Sequence, residues 1–134
     1  MPRTLLLPFC LLALFPACSS PHPSSIYGKV TLDGHPVDNG NIAFLPASGS
    51  GRKGAAPIEQ GVYTIPATEQ FLSGSYRVEI SWRKPTGKKI PSADPGMTID
   101  ETAEAIPERY NTASTLTADI GTGAVEKDFT LSSK

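Results

Sequence analysis

Over residues 75–83 the side chains alternate without a break: Tyr76, Val78, Ile80 and Trp82 are apolar or aromatic, while Arg77, Glu79, Ser81 and Arg83 are polar or charged. Successive side chains of an extended chain point to opposite faces, so a period of two sends the first set to a core and the second to water. A helix of 3.6 residues per turn would scatter both sets around its circumference. This run therefore commits the middle of the chain to a half-buried strand.

The same period recurs on both sides. Ile26, Gly28, Val30 and Leu32 share one face, with Tyr27, Lys29, Thr31 and Asp33 on the other. Asp33-Gly34-His35-Pro36 and Asp38-Asn39-Gly40 are turn chemistry, and a short strand over 41–45 follows. After a polar loop at 47–56, Gln60-Gly61 separates runs 56–59 and 62–65, which predicts a hairpin. Near the C-terminus Leu116, Ala118 and Ile120 alternate with Thr115, Thr117 and Asp119. Beyond Gly121-Thr122-Gly123, Val125, Phe129 and Leu131 share a side, which reads as a second hairpin. With 12 Gly and 13 Pro in 134 residues, short strands joined by turns are favoured over a helical bundle. About seven strands at this spacing predict an all-β domain of two antiparallel sheets packed as a sandwich, from residue 26 to 134.

The exception is 85–113, which shows no strand period. It is expected to be a long loop with order of its own. Thr98-Ile99-Asp100-Glu101 fits a capping box, and the expectation is a short helix of one or two turns ending before Pro107.

The first residues read differently. Arg3 precedes an apolar stretch at 5–15 that is interrupted only by Pro8 and followed by small and polar residues. That run falls short of the about 20 apolar residues a membrane-crossing helix needs, and it reads as a secretory signal. Leu14-Phe15-Pro16-Ala17-Cys18 resembles a bacterial lipobox, although Phe15 and Pro16 depart from the usual residues. Cleavage there makes 1–17 a lipoprotein signal peptide, Cys18 the acylated N-terminus and 18–25, rich in Ser, Pro and His, a flexible tether. Ordinary signal peptidase cutting after Ala17-Cys18-Ser19 is the open alternative. Either route removes Cys10, and Cys18 is acylated or lost, so the fold is expected to hold without a disulfide.

A family resemblance accompanies these patterns. Gly28-Lys29-Val30-Thr31-Leu32-Asp33-Gly34-His35-Pro36-Val37, Ile42-Ala43-Phe44, Gly61-Val62-Tyr63-Thr64-Ile65 and Leu72-Ser73-Gly74-Ser75-Tyr76-Arg77-Val78 resemble, in that order, the pattern of carboxypeptidase-regulatory-like, transthyretin-like domains. Ile106-Pro107-Glu108-Arg109-Tyr110-Asn111 with Ser114-Thr115-Leu116-Thr117 is similar to a segment of uncharacterised bacterial surface lipoproteins that carry such a domain. The resemblance implies a seven-stranded Greek-key sandwich in the envelope or on the cell surface, without an assigned activity.

The chemistry-bearing residues are few. Nucleophilic catalysis needs a base beside the nucleophile and a group that orients the base. The two histidines are His22 in the expected tether and His35 in a turn, and no G-x-S-x-G elbow is present, so no enzyme is expected. Nor is zinc or any other cofactor, since the usual ligand spacing is missing. Asp94, Asp100, Glu101, Glu104 and Glu108, with Asp33, Asp38 and Asn39 in turns, offer oxygens of the kind calcium takes. They form no D-x-[DN]-x-[DN]-G loop and equally make a solvated acidic segment. A net charge of −1 gives no field to hold a polyanion, which excludes nucleic-acid binding as the main role.

Trp82 with Arg83, Lys84, Lys88 and Lys89 forms a local basic patch beside the single tryptophan. Cations around an aromatic platform suit anionic envelope glycans. The same alternation places Trp82 in the core, and the lysines then pair with the acidic residues that follow. Tyr110 and Asn111 read first as an anchor fastening the long loop to the domain, with a ligand role as the second possibility. Two functional expectations result: a non-catalytic interaction or structural module held to the membrane by lipid, with an envelope protein as partner, or a module that binds carbohydrate or another envelope polymer.

Overall fold

The computed structural model describes residues 24–48, 52–68 and 71–134. The expected signal peptide, Cys18 and most of the expected tether, with His22, lie outside the described residues. Ser24 and Ser25, expected at the end of that tether, already belong to the first strand, where they pair with Gly123 and Ala124. No described helix is long and apolar enough to cross a membrane.

The described residues are nearly all strand and turn. In chain order they form β1 (Ser24–Leu32), β2 (His35–Pro36), β3 (Gly40–Pro46), β4 (Gly54–Ile58), β5 (Val62–Ile65), β6 (Gly74–Ser81), β7 (Arg83–Pro91) and β8 (Thr98–Glu104). A single 3-10 turn (Glu108–Tyr110), β9 (Thr117–Ile120), β10 (Gly123–Glu126) and β11 (Phe129–Leu131) complete the chain. One sheet centres on β1, with β2 and β5 antiparallel along one edge and β10 and β11 parallel along the other. A second, fully antiparallel sheet runs β4-β3-β6-β9. β7 and β8 make a third sheet of their own.

The core lies between the first two sheets, and the alternation of each strand decides what enters it. β1 buries Ile26, Gly28, Val30 and Leu32, β3 buries Ile42 and Phe44, and β6 buries Tyr76, Val78 and Ile80. The Phe44 ring joins the two sheets, with its centroid 5.9–6.3 Å from those of Tyr63, Phe71, Tyr76 and Phe129. Close-packed, tilted rings of this kind add to what burial alone contributes. Burial pushes the Tyr63 phenol well above its ordinary pKa, with the nearby Asp128 charge as a second cause, and the hydroxyl donates to the Lys127 carbonyl at 2.7 Å.

Turn chemistry follows the sequence closely. Asp33 and Gly34 take φ of 51° and 82°, the paired left-handed geometry that joins β1 to β2. Gln60 and Gly61 do the same between β4 and β5. The strands flanking Gln60-Gly61 then diverge into different sheets, so the expected hairpin is a closed turn whose arms separate.

Three expectations are corrected. Segment 85–113 is not a loop with a helix, for Thr98–Glu104 is strand β8, hydrogen-bonded to β7 along a projecting hairpin. The turn at its tip places Pro95 at the second position and Gly96, at φ 82°, at the third, closed by Met97 N–H to the Asp94 carbonyl at 3.2 Å. β-branched Thr98, Ile99 and Thr102 and the cross-strand pair Lys89–Asp100, at 2.7 Å, outweigh the capping-box pattern. The expected C-terminal hairpin does not form either. β9 ends in the second sheet, and after Gly123 β10 runs parallel to β1 in the first. Finally, the tally of about seven strands is too low, because the projecting hairpin and the broken last strand add segments.

Candidate functional site

Of the residues singled out in the sequence, Trp82, Arg83, Lys84, Tyr110 and Asn111 lie near the base of the β7–β8 hairpin and Lys88 and Lys89 farther along it, and they do not form one cluster. Trp82 sits at the kink between β6 and β7, half-buried against the core. Its backbone N–H donates to Glu104 Oε1 at 2.7 Å, and the same oxygen accepts from Ile106 N–H at 3.0 Å. Ala105 N–H donates to the Trp82 carbonyl at 2.8 Å. One carboxylate therefore ties both ends of the hairpin to each other, which fixes the arm where it leaves the body.

The four cations of the basic patch fall on different sides of the ribbon. Lys84 Nζ lies 4.0 Å from the centre of the Trp82 ring. Arg83 reaches across to Thr102, with Nε to Oγ1 and Nη2 to the carbonyl, each at 3.1 Å. Lys89 pairs with Asp100. Lys88 is exposed where the register shifts between Pro85 and Lys89. Trp82 and Lys84 are thus brought together, while Arg83 and Lys89 are engaged by β8.

Of the acidic residues considered for calcium, Asp94, Asp100, Glu101 and Glu104 are spread along the same arm, while Glu108 lies in the 3-10 turn and Asp33, Asp38 and Asn39 in connections between strands of the body. Glu101 accepts from the Thr86 hydroxyl at 2.6 Å, Glu104 holds the base, and Asp100 holds Lys89. Among the described residues no group of three or more His, Cys, Asp or Glu side chains is placed to hold a metal ion. His35 stands exposed in β2.

Tyr110 and Asn111 lie on the body side of the base. Ile106 is buried, Tyr110 packs partly against the core, and the Arg109 guanidinium stacks over the Tyr110 ring at 4.8 Å. Arg109 Nη2 also donates to the carbonyls of Ser132 and of Lys134, the latter at 2.7 Å, and so clasps the C-terminus. A hydrogen bond from Arg109 holds the Tyr110 phenol below its ordinary pKa.

Asn111 contributes to a feature the sequence did not reveal. It lines a shallow cavity of about 310 Å³ on the outer face of the second sheet, with Asn41, Lys53, Glu79 and Ser81 as the other polar walls. Ala43 and Ala55, neighbours across β3 and β4, form its floor. Small side chains at paired outward positions were the available signal, and it was invisible without knowing which strands are adjacent.

Among the described residues the exposed aromatic side chains make no platform. Tyr63 is 1% exposed and Tyr27, at 41%, stands on the first sheet, away from Trp82 and Tyr110. The ring–ring contacts of the described residues join Phe44, Tyr63, Phe71, Tyr76 and Phe129, all of them core. Compared with known proteins, the chain matches no family model, no curated protein and no solved structure.

Proposed function

We propose that this chain is a non-catalytic, envelope-anchored lipoprotein whose β domain serves as a protein-interaction or structural module. In this reading residues 1–17 are removed, Cys18 carries the lipid, and the domain is the Greek-key sandwich implied by the resemblance to carboxypeptidase-regulatory-like domains. Lipid anchoring then places it in the outer membrane or on the cell surface. The observation that carries the reading is the β7–β8 arm, in which every residue of β7 is exposed while its base is pinned by Glu104 and Trp82. Interaction groups are commonly held out on segments supported by a rigid scaffold, and this segment reaches beyond the core without serving it.

Cys18→Ala is the test. It should release the protein from the membrane fraction and leave the mature N-terminus without lipid mass. Unchanged membrane association, or a wild-type N-terminus at Ser20 or Pro21, refutes the anchor.

The cavity beside Asn111 favours a second reading, binding of an envelope polymer by the outer face of the second sheet, since an ammonium, two amides, a hydroxyl and the Glu79 carboxylate, itself paired with Arg77, line it. Calorimetric titration with an anionic envelope polysaccharide tests it. Binding that disappears in Asn111→Ala and Lys53→Ala supports this reading, and absence of heat removes it.

A further inference from the structure

The pairing of β7 with β8 gives the arm two unlike faces. Register partners share a face, so Arg83 with Glu104, Pro85 with Thr102 and Lys89 with Asp100 lie on one side. Lys84 with Ala103, Glu101, and Ile90 with Ile99 lie on the other. Side-chain contacts agree with this assignment: Arg83 reaches Thr102 and Lys89 reaches Asp100 on the first face, and Lys84 covers Trp82 on the second. The second face carries a distal apolar patch in which Ile90 is 38% and Ile99 52% exposed, with Met97, 62% exposed, next to it at the tip. A two-stranded ribbon is marginal in water unless something covers its apolar face, and the body leaves this one exposed.

Its edges are closed to strand addition. β7 carries Pro85, Pro91 and a register shift, and β8 carries Asp100, Glu101 and Glu104, the devices that keep free edges from pairing. Docking therefore uses the face.

Charge selects the occupant. On the apolar face itself the charge on β7 is basic, Lys84, and the charge on β8 is acidic, Glu101, while Arg83, Lys89, Asp100 and Glu104 lie on the other face. We propose that the apolar face of the arm packs against the same face of a second copy of this chain, with the two arms parallel about a two-fold axis along their length. That arrangement lays β7 of each copy over β8 of the other. Ile90 then meets the other copy's Ile99, and Glu101 meets the basic strand. An antiparallel arrangement centred on Glu101 sets Glu101 against itself and β7 against β7, which like charges oppose.

The parallel arrangement also suits two copies anchored in one membrane. β1 starts at Ser24, whose N–H donates to the Phe71 carbonyl at 3.0 Å and whose hydroxyl donates to the Gly121 carbonyl at 2.7 Å. This is the end of the body where β6 begins, beside Ile120. The arm leaves from the other end of β6, about 25 Å away at about 3.3 Å per residue. Only this last point rests on the proposed lipid anchor. Self-association does not.

The test is sedimentation velocity of the full chain over a concentration series, in mild detergent so that residues 5–15 do not drive association. The wild type should form a concentration-dependent dimer. Ile99→Asp should be monomeric with the near-ultraviolet dichroism of the core aromatics unchanged, and Glu101→Lys should weaken association roughly tenfold. A monomeric wild type, or an Ile99→Asp variant that still dimerises, overturns the proposal. An unchanged dissociation constant in Glu101→Lys overturns the parallel arrangement. Failure of the anchor reading shows separately, in the membrane fractionation of Cys18→Ala.

Discussion

The carbonyl oxygen of Lys127 occupies the place where a side chain at Gly28 would begin: a Cβ there would lie 1.9 Å from it. Between β10 and β11 the chain bulges at Lys127 and Asp128 and presses against β1. Lys127 N–H donates to the Tyr27 carbonyl at 2.8 Å, and Asp128 Oδ1 accepts from Lys29 N–H at 2.7 Å. The inward Lys127 oxygen is satisfied by the Tyr63 hydroxyl. Gly28 is thus required by close approach rather than by its φ.

Gly28→Ala must push the last two strands off β1 and should cost about 3 kcal/mol or more, the upper range of overpacking. Tyr63→Phe leaves the Lys127 oxygen unsatisfied and should cost about 1–3 kcal/mol. Urea titration measures both, and a Gly28→Ala variant as stable as wild type would contradict the geometry.

Ile80 is fully buried on β6, and Glu79 faces out beside Arg77 at 2.7 Å. Ile80→Ala should lose roughly 2–5 kcal/mol. Glu79→Ala should stay within about 0.5 kcal/mol, because both partners of that ion pair are partly solvated. Comparable losses in the two variants would place the wrong face inside.

Glu104 holds both ends of the arm through one oxygen. Glu104→Ala should free the N–H groups of Trp82 and Ile106 and cost about 1 kcal/mol, with faster amide exchange at both positions and stronger quenching of Trp82 fluorescence by iodide. Glu104→Gln keeps an oxygen acceptor and should stay near wild type. Equal behaviour of the two variants would show that the carboxylate does not set the base of the arm.

Asp33 accepts from Ser133 N–H at 2.9 Å, and its hydrogen bonds to Ser133, side chain first and backbone second, hold its carboxyl below the ordinary 3.8. A depressed folded-state value means that this clasp is fully formed above pH about 4 and is lost as the pH falls through the lowered value. Amide exchange at Ser133 should accelerate in that acid window in the wild type. In Asp33→Asn it should lack that pH-dependent acceleration, and an identical profile in the variant would refute the linkage.

The alternation determined β6 as far as Ser81, because one face of that strand is core and the other is water, but the expected strand ran on to Arg83, whereas Trp82 is half-buried between strands and Arg83 opens the exposed β7. Asp33-Gly34 and the glycine of Gln60-Gly61 likewise determined their turns, since left-handed backbone favours Gly and tolerates Asp. The burial of Val78, Phe129 and Leu131 was legible for the same reason. Neighbour relations were not. Side-chain period says which way a residue points and nothing about which strand lies alongside, so the parallel pairing of β10 and β11 with β1 was decided only when β9 and β10 entered different sheets. The arm escaped notice because its strands bury nothing on the body. Without a core there is no strict alternation to read, and Thr98 with Glu101 imitated a helix start. Cross-strand pairing of Lys89 with Asp100 and of Ile90 with Ile99 makes it a hairpin, and those contacts exist only once the turn at Pro95-Gly96 has brought distant residues together.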